Sequence, residues 1–260
     1  MSLKYSGRAA IVTGASSGIG RAIAQRLGKN GMELWLVARS RQGLEETASA
    51  IEKSGGPPAH CTVLDLREAG VLAGLVERVG ASHPHLFAMI NNAGIMHPET
   101  IMSGRRDRWE AMLDVNLLAP VESCQAAVRV MRRHGRSGHL INISSVAARF
   151  ENGGVYGASK VGLELIGKTL RCELEKDDIR VTTIVPGGFA TNLGRDVDQE
   201  TWTAIAKKLE SKGMQITGPD AQRVLGDPEY VAKAVEFVID QPVDINFENL
   251  TIRPPVDSSW

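Results

Sequence analysis

The chain has 260 residues, 43% of them hydrophobic and 23% charged, with 30 basic side chains set against 30 acidic ones. That length can bury a full core without metals or disulfides, and a formal net charge of zero offers no electrostatic footprint for nucleic acid or an anionic membrane. Three widely spaced cysteines, Cys61, Cys124 and Cys172, cannot complete a disulfide framework and lack C-x-x-C metal spacing, which points to a reducing cytoplasm. No apolar run reaches the roughly 18 residues of a membrane span, and residues 1–10 lack the apolar stretch of a signal peptide.

Short runs rich in Ile, Val and Leu alternate with longer amphipathic segments. The runs at 9–12, 34–38, 61–64, 86–90, 140–143 and 181–185 are nearly continuous, as expected of strands buried on both faces. Between them, 20–29, 42–53, 109–132 and 156–176 carry helical periodicity. A helix over 227–240, with Asp227 as its cap before Pro228, leads into a last strand over 245–252. This alternation predicts an α/β fold, a doubly wound parallel sheet of about seven strands with helices on both faces, and a single domain over 1–260. The pattern breaks once, after Gly187, where a helical segment at 199–212 and a loop with Gly213, Gly218 and Pro219 lengthen the connection. Long connections are usually functional, so 192–225 is expected to act as a mobile flap over a substrate.

After the first strand comes Thr13-Gly14-Ala15-Ser16-Ser17-Gly18-Ile19-Gly20, opening a helix. Glycines let a backbone turn tightly and approach a pyrophosphate, whose charge the helix N-terminus meets. The spacing is G-x-x-x-G-x-G rather than G-x-G-x-x-G, but its place between strand and helix suits a dinucleotide. At the end of the second strand a carboxylate would hold a ribose 2′-OH, whereas a cation would hold a 2′-phosphate. Val37-Ala38-Arg39-Ser40-Arg41 contains no acid, and Glu33 lies at the wrong end of that strand. NADP(H) is therefore expected in preference to NAD(H), with Arg39 on the phosphate; the alternative is that Arg39 and Arg41 are solvated surface charges.

Tyr156-Gly157-Ala158-Ser159-Lys160 puts a phenol and an ammonium on one helix face. An unperturbed phenol, with a pKa of about 10, exchanges protons poorly near neutrality, and a neighbouring cation stabilises its phenolate. The preceding strand ends Asn142-Ile143-Ser144-Ser145, the fourth ends Asn91-Asn92-Ala93-Gly94, and the sixth runs into Pro186-Gly187-Gly188-Phe189-Ala190-Thr191. Strand ends of this kind line the ligand crevice of a doubly wound sheet.

With T-G-x-x-x-G-x-G, N-N-A-G, the serine, Y-x-x-x-K and P-G-x-x-x-T in this order, the chain resembles the short-chain dehydrogenases/reductases in their compact form over almost its whole length. The resemblance implies a Rossmann-like fold, Tyr156 as catalytic acid/base, and Lys160 as the cation that tunes it and grips the nicotinamide ribose. It also implies Ser145 on the substrate carbonyl or hydroxyl, and Asn116 holding a water that links Lys160 to solvent. Gly14, Ser16, Ser17, Gly18, Ile19 and Gly20 would cradle the cofactor, Asp65 and Leu66 would flank its adenine, and Asn92, Ala93, Gly94, Pro186, Gly187, Phe189 and Thr191 would make further contacts. Ala38-Arg39 and the tail Asn249-Leu250-Thr251-Ile252-Arg253-Pro254-Pro255 look like the NADP-dependent branch with serine and 3-hydroxy-acid dehydrogenases and clavaldehyde reductases. Eleven positions separate Ser145 from Tyr156, a couple fewer than in most relatives, which makes Ser144 a rival for the serine role.

The histidines lack ligand spacing and no metal is expected, although His97 follows N-N-A-G closely enough to border the crevice. The expected activity is hydride transfer between nicotinamide and a secondary alcohol or ketone, or an aldehyde or hydroxy acid. A non-catalytic NADP-binding sensor or scaffold, or an epimerase or lyase on the same residues, are the alternatives. Members of the family often pair their long helices, so a homodimer or homotetramer through 109–132 and 156–176 is expected.

Overall fold

The structure is a computed structural model that describes residues 3–97, 99–193, 203, 207, 210–211 and 221–256. Seven strands form one parallel sheet: β1 (Ala9–Thr13), β2 (Glu33–Ala38), β3 (His60–Val63), β4 (Leu86–Asn91), β5 (Gly138–Ile143), β6 (Ile179–Pro186) and β7 (Asn249–Ile252). Their order is β3-β2-β1-β4-β5-β6-β7, so the winding reverses between β1 and β4. β1, β4, β5 and β6 are buried at every position, the environment that their unbroken apolar runs require.

Helices cover both faces. α1 (Gly18–Lys29), α2 (Arg41–Lys53) and α8 (Glu229–Asp240) close one apolar cluster, around Ile23, Leu27, Leu44, Ile51 and Val235. α3 (Val71–Ser82), α5 (Ala119–His134) and α6 (Gly154–Glu173) close the other, around Leu72, Val76, Met131, Leu140 and Leu174. Ser40 starts α2 by accepting from the Gly43 amide at 3.2 Å. Pro228 stands at the α8 N-cap, while the Asp227 carboxylate accepts from the Glu229 amide at 2.9 Å. A short helix, α7 (Ala221–Val224), precedes α8.

Two expectations are corrected in detail. The segment 109–132 is not one helix: α4 (Arg106–Leu113) passes through a π turn (Asp114–Leu118) into α5. Pro120 has no amide for the carbonyl four residues back, and its ring crowds that carbonyl, so a widened turn is the local solution. The final strand spans Asn249–Ile252 rather than 245–252; Ile245 instead closes a turn onto the Pro242 carbonyl and stays exposed. Most of the helix expected at 199–212 and most of the flap expected at 192–225 lie outside the described residues.

Away from the strand ends that carry the sequence motifs, β5 buries His139 beside Arg180 of β6. His139 Nε2 lies 2.8 Å from Thr182 Oγ1 and its Nδ1 is buried without a partner, while Arg180 donates to the Val238 and Ile239 carbonyls ending α8. Burial first, then the Arg180 charge, holds His139 well below the usual imidazole range. Below the unfolded value of about 6.5 the unfolded chain binds a proton that the folded chain refuses, so stability is full above that pH and declines beneath it, by about 1.4 kcal/mol per pH unit. Urea unfolding at pH 7 and pH 5 should show this loss, and His139→Gln should reduce it; an equal loss in the variant would contradict the assignment.

Candidate active site

The site begins where β1 and β4 end, at the reversal of the winding. Thr13 Oγ1 accepts from the backbone amides of Asn92 and Ala93, both at 3.0 Å, and the Asn92 amide group returns a bond to the Thr13 carbonyl at 2.8 Å. These contacts bring the glycine turn and the N-N-A-G segment together. Gly14 has φ +67, and a Cβ there would lie 2.7 Å from Asn92 Nδ2; one on Gly20 would run into the Gly14 carbonyl. The turn is braced from outside by Thr47, whose hydroxyl donates to the Ala15 carbonyl at 2.9 Å, and by Arg21, which donates to the Ser16 carbonyl at 2.6 Å.

Ser17 caps α1 by backbone alone: its side chain makes no capping bond, and the first turn contains no acid. The positive end of the helix is thus left to whatever anion approaches the turn, with Ser16, Gly18 and Ile19 around it. These residues fit a pyrophosphate. Gly18 abuts Thr191, whose Cβ would lie 3.1 Å from a Cβ on the glycine. Thr191 is carried by the segment after β6, which begins at Pro186 and Gly187 and is held by two bonds of 3.0 Å between Gly226 and the backbone of Gly188 and Ala190. Phe189, buried, lays its ring against Gly226.

At the far side of β2, Arg39 is exposed and makes no hydrogen bond or ion pair among the described residues. Arg41 is within 3.8 Å of Glu45. Asp65 follows β3 and is gripped by Arg67 through Nε at 3.0 Å, which holds its carboxyl below the usual range, with Arg39 adding to the effect. Leu66 is buried next to it. The Asp65–Arg67 pair was not read from the sequence, although its two-residue spacing was visible there.

Across the crevice, Tyr156 and Lys160 occupy the first turns of α6 and are both buried. The Ser145 side chain lies near enough to the phenol to draw its pKa down, against a larger upward push from burial. Ser145 is extended, at φ −162, and its hydroxyl accepts from the Ala147 amide at 3.2 Å. Ser144 turns the other way and donates to Glu164 Oε1 at 2.8 Å. Lys160 Nζ sits 6.0 Å from the centre of the Tyr156 ring and donates to the Ile143 carbonyl at 3.0 Å; burial lowers its pKa to about 8. Gly94 completes this corner, since a Cβ there would be 3.4 Å from both Lys160 Nζ and Asn116 Oδ1.

Asn116 lies in the π turn and is fully buried. Its Oδ1 accepts from the Ile95 amide at 2.9 Å, while its Nδ2 donates to the Ile95 carbonyl at 2.9 Å and to Ser159 Oγ at 3.1 Å. Ser159 in turn donates to the Tyr156 carbonyl at 2.6 Å. One side chain thereby joins the segment after β4 to the helix that carries the phenol. Among the described residues no group of acidic, histidine or cysteine side chains could hold a metal.

The profile of the short chain dehydrogenases matches residues 8–202. An uncharacterized oxidoreductase of Staphylococcus saprophyticus is 33% identical over 250 residues, covering 95% of this chain and 97% of that protein. Among solved structures, a metagenomic short-chain oxidoreductase in complex with NADP is similar with a TM-score of 0.78 at 28% identity, covering 97% of this chain and 99% of that one. The closed form of a serine dehydrogenase complexed with NADP+ is similar at 0.76 and 28%, covering 94% of each chain.

Proposed function

The chain belongs to the short chain dehydrogenase family of oxidoreductases, and from that premise we propose that it moves hydride between NADP(H) and a small secondary alcohol or ketone, or a related aldehyde or hydroxy acid, with Tyr156, Lys160, Ser145 and Asn116 as its working residues. The observation that carries this reading is the buried Tyr156 with the Lys160 ammonium 6.0 Å from its ring, one helical turn along α6, and the Ser145 side chain beside the phenol.

NADP(H), when bound, supplies or accepts the hydride. The chain's own residues hold the reactants and handle one proton. Ser145 donates to the carbonyl oxygen, and Tyr156 delivers its proton to that oxygen in reduction or receives one in oxidation. A buried phenol pushed up in pKa is protonated at neutral pH, which suits reduction. Lys160, lowered to about 8 yet still mostly charged at pH 7, adds a cation to the corner that the phenolate must share. Asn116 keeps the first turn of α6 tied to the segment after β4. Gly14 to Gly20 would hold the pyrophosphate, Arg39 the 2′-phosphate, and Asp65 and Leu66 the adenine. The remaining contacts fall to Asn92, Ala93, Gly94, Pro186, Gly187, Phe189 and Thr191.

The preference for NADP(H) is supported by the unengaged Arg39 and by the absence of an acid at the end of β2. NADPH should bind tighter than NADH, and Arg39→Asp should erase or reverse the order. Titration of cofactor fluorescence checks this; equal affinities, unchanged in the variant, would contradict it.

Leu113, Leu118, Val161 and Leu165 on α4, the π turn and α6 remain 36–61% exposed, which supports a homodimer or homotetramer through these helices. Sedimentation at micromolar concentration should show an assembly, and Leu165→Asp should weaken it; a monomeric wild type would contradict this. All three cysteines are free thiols, in keeping with a cytoplasmic setting.

A further inference from the structure

We propose that Glu164 and Ser144 form a clamp that positions the reacting residues from behind. Ser144 is 4% exposed and points away from the crevice. Its hydroxyl has one proton to give and two acceptors on α6: Glu164 Oε1 at 2.8 Å and the Lys160 carbonyl at 3.4 Å. The nearer carboxylate takes it, as a charge-assisted bond. On the backbone side, the Ser144 amide donates to the Ile184 carbonyl of β6 at 2.8 Å. The residue is thus held from both sides, by the sheet and by the helix.

Two reacting groups hang on that one residue. Its preceding carbonyl, on Ile143, receives the Lys160 ammonium at 3.0 Å. Its following residue is Ser145, whose side chain lies beside the Tyr156 phenol. Glu164 lies one turn beyond Lys160 on α6, so the bond through Ser144 fixes how far α6 stands along the end of β5. That is the same distance that sets Ser145 against Tyr156. The Ser145–Tyr156 connection is short, with only a four-residue 3₁₀ turn (Val146–Arg149) before α6 begins at Gly154. A second tie on the opposite side of the strand end lets this short loop hold its ends in place. Glu164 acts through Ser144 and touches no reacting atom; it is a positioning residue. The role rests on the function proposed above.

The test uses the full chain with NADPH and 2,3-butanedione as carbonyl probe. Ser144→Ala and Glu164→Leu should each lower kcat about tenfold, since displacements of an ångström or less in a reacting geometry are worth one to two orders of magnitude. KM for NADPH should stay within about twofold. Ser144→Thr, which keeps the hydroxyl, and Glu164→Gln, which keeps an amide oxygen to accept from it, should recover most of the loss. In parallel, hydrogen exchange of the amides at 143–147 and 156–160 should quicken in Ser144→Ala and Glu164→Leu but not in the two conservative variants. The exchange measurement needs no carbonyl, so it decides the clamp even if the probe is not reduced. Glu164 is only half-buried, which keeps Glu164→Leu informative should Ser144→Ala fold poorly. Wild-type kcat and wild-type exchange in both disruptive variants would overturn the clamp. Undiminished turnover in Tyr156→Phe would instead overturn the reading on which it rests.

Discussion

Tyr156→Phe is expected to lower kcat by about 10²–10⁴-fold, the usual contribution of a positioned proton donor, while leaving NADPH binding largely intact. The substitution removes one oxygen and keeps the ring that α6 buries, so the packing around residue 156 is retained. Among the described residues, no neighbour is placed to take over the proton. Ser145 is already a donor to the same site with a far less acidic hydroxyl, and the Lys160 ammonium is turned to the Ile143 carbonyl. Stopped-flow or steady-state measurement of NADPH consumption reads the effect directly. A variant within a factor of a few of wild type would show that the proton comes from elsewhere. The same geometry sets a direction with pH. Burial raises the phenol's pKa, so reduction has its proton in place at neutrality, whereas oxidation needs the phenolate and should quicken as pH rises.

Ser145→Ala should lose roughly 10²-fold in kcat, comparable to removing one polarising donor, and Ser144→Ala clearly less. Side chains alternate along a strand, so only one of two adjacent serines can face the crevice. The structure turns Ser145 toward the phenol and Ser144 toward Glu164. The loss in Ser145→Ala is expected in kcat rather than in KM for NADPH, because the hydroxyl acts where charge develops on the carbonyl oxygen. The reverse ranking of the two alanine variants would move the role to Ser144.

Much of this architecture was legible in the residues, for identifiable reasons. The unbroken runs of β1, β4, β5 and β6 could be read because both faces of those strands are buried, which leaves little room for polar side chains. The π turn was not legible: periodicity runs smoothly through 109–132, and only Pro120 marks the place where a normal turn fails. The start of β7 was misjudged because Ile245 and Phe247 continue its apolar pattern, although Ile245 belongs to a turn. Within the site, local motifs named the glycine turn and the phenol–ammonium pair. Partners distant in sequence were invisible: Ser144 with Glu164, Thr13 with Asn92, and Asn116 with Ile95 and Ser159. Those bonds depend on how strands and helices dock, and no single-segment pattern encodes them.

The central claim is that this crevice reduces or oxidises a carbon–oxygen bond with NADP(H), and it is tested most directly by the absorbance of NADPH. Wild type and Tyr156→Phe would be mixed with NADPH and a panel of ketones, aldehydes and keto acids, and in reverse with NADP+ and the matching alcohols and hydroxy acids. At least one pair should give steady consumption or formation of NADPH, faster than with NADH or NAD+, and this should collapse in Tyr156→Phe. If the wild type binds NADPH tightly yet changes its absorbance with no member of the panel, or if Tyr156→Phe matches it, the claim is contradicted, and a non-catalytic NADP-binding role takes its place.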